Sequence, residues 1–155
     1  MTTQRTIGSV ALLSFILLIL TAAPSLARQA TLENVAPTKH GAAPGSSPTQ
    51  IASAIKQAAK GLGWVVAGEE AGSVRLRIRL RAHMALVSVG FDETNYWIDY
   101  EDSTKLDYHA EDIVRKRPKR KPRVIEGPSI HHNYNNWIRN LSNRIRTEAA
   151  RITPE

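Results

Sequence analysis

The chain has 155 residues, a formal net charge of +7 and no cysteine. Without cysteine it cannot use a disulfide scaffold, thiol catalysis, cysteine-ligated zinc or a lipid attached through a cysteine. At this length it suits one domain with one core, and a disulfide-free domain must be held by that core alone.

Residues 1–27 read as a secretory signal. Arg5 precedes an apolar run over residues 7–20, Pro24 breaks it, and Ser25-Leu26-Ala27 supplies the small residues of a cleavage site after Ala27. The run is short for a membrane span of about 20 residues. The expected location is therefore the periplasm or cell envelope. Arg5 is the only charge in this segment, so its removal leaves 20 basic and 14 acidic residues. Seven of the 20 lie close together: Arg115, Lys116, Arg117, Lys119, Arg120, Lys121 and Arg123. Without them, 20 − 7 = 13 basic residues would face 14 acidic ones, so the basicity belongs to one segment.

Residues 28–46 are rich in Ala, Pro, Gly, Ser and Thr, lack an apolar period and read as a disordered linker. The folded domain is expected over residues 47–152. Ser47-Pro48-Thr49-Gln50 fits a capping box with proline at the first helical position. Ile51, Ala54, Ile55, Ala58 and Leu62 follow at helical spacing, and Gly61 and Gly63 end the helix.

Four strands are expected next. The first is short, over residues 64–67. The second, residues 74–81, alternates strictly between aliphatic residues and arginines, so Arg75, Arg77, Arg79 and Arg81 share one face. The third carries His83, Ala85, Val87, Val89 and Phe91 in alternation. The fourth carries Tyr96, Ile98 and Tyr100. Short connections make these an antiparallel meander. Leu106 and Tyr108 suggest one further extended piece. Residues 111–128, with their prolines and charges, read as a solvated basic loop. Ser129 is then a candidate N-cap for a closing helix whose stripe runs Ile130, Tyr134, Trp137, Ile138, Leu141, Ile145, Ala149 and Ile152. The expected class is α+β: an N-terminal helix, a four-stranded meander and a C-terminal helix packed on the sheet.

The combination Arg81-x-His83-x-Ala85, Phe91-Asp92, Tyr96-x-Ile98-x-Tyr100, Asp102-Ser103, Leu106-x-Tyr108 and Ile130-His131-x-x-Tyr134-Asn135-x-Trp137-Ile138-x-Asn140-Leu141 resembles a family of small exported bacterial envelope proteins, some of lipoprotein type. The likeness runs over residues 51–145. It implies an envelope location and an α+β fold, and no activity. The chain departs from the family in lacking the lipid-attachment cysteine and in carrying the basic stretch where a shorter link is expected.

Two kinds of chemistry compete for the candidate residues. Export points to anions outside the cytoplasm, namely phospholipid head groups and lipopolysaccharide phosphates, and away from nucleic acid. Arg75, Arg77, Arg79 and Arg81 can receive such groups bidentately. The seven basic residues at 115–123 can hold a protein loosely at an anionic surface, at about 1 kcal/mol each. The other reading is a hydrolase or metal-dependent enzyme with a site near His83, Asp102, Ser103 and His131. No HExxH spacing and no Gly-x-Ser-x-Gly context supports that reading, and no cofactor or metal is called for. Tyr134, Asn135, Asn136 and Trp137 have the composition of a sugar platform, but at helical spacing Tyr134 and Trp137 read as core. The expected function is a non-enzymatic binding or interaction module, its protein partner unspecified.

Overall fold

A computed structural model describes residues 28–117 and 120–153. Residues 1–27, over which a secretory signal is expected, lie outside the described residues.

The element order is β1 (Gln29–Thr31), β2 (Val35–Lys39), α1 (Pro48–Gly61), β3 (Val65–Glu70), β4 (Ser73–Leu80), β5 (His83–Phe91), β6 (Asn95–Thr104), β7 (Ile113–Arg117), β8 (Arg120–Ile125), β9 (Ser129–His131) and α2 (His132–Ala149). The main sheet is antiparallel in the order β2-β6-β5-β4-β3. It has five strands, one more than the four expected, because β2 joins the free edge of β6. Both helices lie on one face, which makes a two-layer α+β fold.

Local chemistry explains each principal element. Ser47 caps α1: its Oγ accepts from the Gln50 N–H, and Gln50 Oε1 accepts from the Ser47 N–H at 2.8 Å, a complete capping box. Gly63, at φ +80°, reverses the chain after the helix. β3 and β4 turn through Ala71 and Gly72, the latter at φ +77°. Between β5 and β6, Asp92 Oδ1 accepts from the Thr94 and Asn95 N–H groups at 2.8 and 2.6 Å and closes an Asx turn. These two bonds hold the Asp92 carboxyl below its ordinary range.

The core lies between the helices and one face of the sheet. Ile51, Ile55 and Ala58 of α1 and Tyr134, Ile138, Leu141 and Ile145 of α2 meet Val74, Leu76, Ile78, Ala85, Val87, Val89, Tyr96 and Ile98. Burying each large aliphatic side chain contributes roughly 1.5–3 kcal/mol, which is how a domain without disulfides holds together. Tyr96 adds a polar tie, its hydroxyl lying 2.6 Å from Ser142 Oγ in α2.

Three expectations need correction. Residues 28–46, expected to be a disordered linker, carry two strands: β2 pairs with β6, and β1 pairs with β9 in the register Gln29↔His131, Ala30↔Ile130, Thr31↔Ser129. The basic segment is a two-stranded ribbon, β7 with β8, and not a loop. The closing helix starts at His132 with His131 as its N-cap, because Ser129 and Ile130 belong to β9. Ile130 is still buried, but from a strand.

Candidate functional site

Three places gather the residues with chemistry: a histidine cluster at the start of α2, the outer face of the sheet, and the β7–β8 ribbon.

The histidine cluster is built around the segment Lys105-Leu106-Asp107. Lys105 and Asp107 sit at φ 56° and 48°, the left-handed region that costs a non-glycine residue roughly 1 kcal/mol or more. The three consecutive carbonyls of this segment are all held. His83 Nδ1 donates to Lys105 O at 2.6 Å, the His131 N–H to Leu106 O at 2.9 Å, and Gln29 Nε2 to Asp107 O at 2.8 Å. Leu106 is thereby buried at the rim of the core. The imidazole of His131 lies between those of His83 and His132, with centroids 6.0 and 4.8 Å away. Its Nδ1 accepts from the Asn133 N–H and so caps α2. Burial lowers the His131 pKa, helped by the neighbouring His132, His83 and Arg28, while Asp107 acts the other way. His131 is thus a neutral capping group.

Near-parallel rings do not aim their nitrogens at one point, and no group of three or more His, Asp or Glu side chains could hold a metal among the described residues. The four residues of the enzymatic reading are brought together only in part. His83 and His131 are neighbours. Ser103 Oγ lies 3.0 Å from the Tyr100 hydroxyl. Asp102 accepts from the Ser103 N–H and stands opposite Leu86 on the outer face, away from the histidines. Tyr134 and Asn135 are buried. Asn135 is committed to the backbone, accepting from the Glu33 N–H and donating to Thr31 O. Trp137 is half-buried at the edge of the core.

The outer face carries Arg75, Arg77 and Arg79 on β4, all exposed. Arg81 is not part of this row. β4 ends at Leu80, and Arg81 turns the chain toward β5 at φ 56°. Arg75 is already engaged: its Nη2 lies 2.7 Å from Glu101 Oε2, and its Nε donates to the same carboxylate. The arginine row therefore offers Arg77 and Arg79, with Asp99 and Asp102 two strands away on β6.

The ribbon is chemically the most unusual. Its register pairs Ile113↔Ile125, Val114↔Val124, Arg115↔Arg123 and Arg117↔Arg120. Like charges directly opposite in an antiparallel pair are unfavourable. Lys121 and Pro122 stand opposite the single position Lys116, a register shift of the kind at which strand prolines are found. At the base, Asp112 Oδ1 accepts from the Gly127 N–H at 2.7 Å, with Gly127 at φ 70°. Ile125 is buried, whereas Val114 and Val124 are 63% and 51% exposed. Arg120, Lys121 and Arg123 are exposed. Lys119 lies outside the described residues.

Sequence reasoning found the charges of this segment but not its pairing. The signal was available as the apolar pair Ile113-Val114 and Val124-Ile125, placed symmetrically about the basic run. No helix among the described residues is long and apolar enough to cross a membrane. Comparison with protein families, with curated proteins and with solved structures found no match, so the reading of these sites rests on their own residues.

Proposed function

We propose that this protein is an exported, non-enzymatic module of the cell envelope, allied to the family it resembles, and that it binds anionic surfaces through the β7–β8 ribbon. The observation that carries the reading is the register of that ribbon, which sets Arg115 opposite Arg123 and Arg117 opposite Arg120. Folded alone, such a ribbon bears its own repulsion. An anionic partner removes the repulsion, and seven basic residues at about 1 kcal/mol each are enough for reversible attachment. The exposed pair Val114↔Val124 favours a membrane or lipopolysaccharide surface over a free polyanion. Apolar side chains beside basic ones suit the boundary between head groups and acyl chains. Export is supported by the pattern of residues 1–27, and an envelope location also by the family resemblance.

The test is a variant with Arg115, Lys116, Arg117, Lys119, Arg120, Lys121 and Arg123 all replaced by Ser. Co-sedimentation with vesicles containing phosphatidylglycerol should be lost, while the melting temperature stays close to the parent's, because exposed charges contribute little to folding. Parent binding should fall steeply with salt, since each contact is screened within about 10 Å at 0.1 M ionic strength. Equal binding of the parent to neutral and anionic vesicles would refute the proposal.

A further inference from the structure

The outer face of the main sheet has an order that neither the core nor the ribbon requires. Side chains from β4, β5 and β6 form cross-strand rows. Arg77 stands beside Leu86 and Leu86 beside Asp102; Arg75 stands beside Ser88 and Ser88 beside Asp99. These two rows run basic, uncharged, acidic, and the next row, Arg79–Met84–Thr104, ends on a neutral residue. Met84 and Leu86 make the central strip half-apolar, and Val65, opposite Arg77 on β3, is 52% exposed. Both helices pack on the other face. Within a single copy, Arg75 reaches across β5 to Glu101, but Arg77, Arg79, Asp99 and Asp102 form no ion pair among the described residues.

We propose that this face binds a second copy of the same chain, with a two-fold axis running along β5. That axis places β4 of each copy over β6 of the other, so Arg77 meets the partner's Asp102 twice and Leu86 meets its own counterpart. A two-fold axis across the strands would instead place arginines over arginines. A purely anionic partner would meet Asp99 and Asp102, and a purely cationic one Arg77 and Arg79. A copy related by the axis along β5 is complementary by construction. Five strands about 4.8 Å apart and five to ten residues long make a face of about 24 by 26 Å in plan on average. With side-chain relief, that approaches the ~800 Å² per partner of a standard interface. The surface is separate from the ribbon, so this association neither requires nor excludes anion binding there.

The experiment is sedimentation equilibrium of the protein as cells process it, over concentrations up to about 1 mM, with Arg77→Asp and Asp102→Arg. The parent should show a monomer–dimer equilibrium. Each single variant should dissociate at least tenfold more readily, because each of its homodimers would oppose like charges twice. Mixing the two single variants should restore a heterodimer, since both contacts between positions 77 and 102 then join opposite charges, one of them in reversed order. The double variant Arg77→Asp/Asp102→Arg should self-associate as the parent does. A parent that remains monomeric throughout would overturn the proposal. So would single variants that associate normally, or a mixture and a double variant that both fail to associate. The seven-serine ribbon variant should dimerise unchanged, which separates this proposal from anion binding.

Discussion

Replacing Arg123 by Glu tests the ribbon because it moves two properties in opposite directions. Arg123 stands opposite Arg115. The exchange turns a like-charge pair into an opposite-charge pair, and such cross-strand pairs contribute roughly 0.2–1 kcal/mol. Removing the repulsion adds a similar amount, so local opening of the ribbon should become harder by ~1 kcal/mol. Amide hydrogen exchange at Val114 and Val124, which are paired one position away, should slow about fivefold. Binding should change the other way. Two units of charge are lost at about 1 kcal/mol each near an anionic surface, which corresponds to ~30-fold weaker attachment to phosphatidylglycerol vesicles. Arg123→Gln, which removes one unit, should fall between parent and Glu variant in both measurements. A Glu variant that binds as well as the parent, or whose ribbon exchanges faster, would refute the register argument.

Other consequences concern the fold. His131 carries a lowered pKa and caps α2 through an unprotonated Nδ1. Above its ordinary value of 6.5 neither folded nor unfolded chain holds that proton; below it the unfolded chain takes the proton first, so stability falls toward acid. His131→Asn keeps a capping side chain but cannot titrate, so its melting temperature should decline less than the parent's between about pH 7 and pH 5. A side chain at Gly90 would overlap the Trp97 ring that lies on it. Gly90→Ala should therefore cost ~1–3 kcal/mol in a urea melt, and nearly nothing in a Trp97→Ala background if the ring is the cause. Arg81→Gly should stabilise by up to ~1 kcal/mol because of its φ of 56°. Arg79→Gly, in the regular part of β4, should destabilise by a similar amount.

The parts of this fold visible in the sequence are those whose signal is local. The capping box at Ser47 and Gln50 reports on three intervening bonds, and the alternation of residues 74–80 repeats one choice of face several times. The apolar stripe of α2 repeats every three or four residues. The parts that stayed hidden depend on distant partners. β2 has only Val35 with a large apolar side chain and contains Pro37. It is a strand because β6 offers a free edge, with Thr38 opposite Tyr96. β1 and β9 are three residues each, stabilised by one another and by Gln29 reaching Asp107. In the basic segment the two prolines of the sequence outweigh the weak strand signal of Ile113-Val114 and Val124-Ile125, and Pro122 falls where the β7–β8 register shifts.

The candidate residues divide along the same line. Which side of the sheet Arg75, Arg77 and Arg79 occupy follows from period two. That Arg75 is bound to Glu101 does not, because Glu101 is the extra residue where the β5–β6 register shifts between Leu86 and Val87. The histidines show the same limit. His83 and His131 are 48 positions apart, and both bond the segment whose left-handed residues, Lys105 and Asp107, have no glycine to announce them.

The most direct measurement is a two-dimensional amide NMR titration of the protein with a soluble short-chain phosphatidylglycerol. Binding at the ribbon predicts shift changes concentrated in Ile113–Arg117 and Arg120–Ile125, saturating with ligand and reversed by salt. Changes concentrated instead on Arg77 and Arg79 of β4, or an absence of saturable changes in the ribbon, would contradict it.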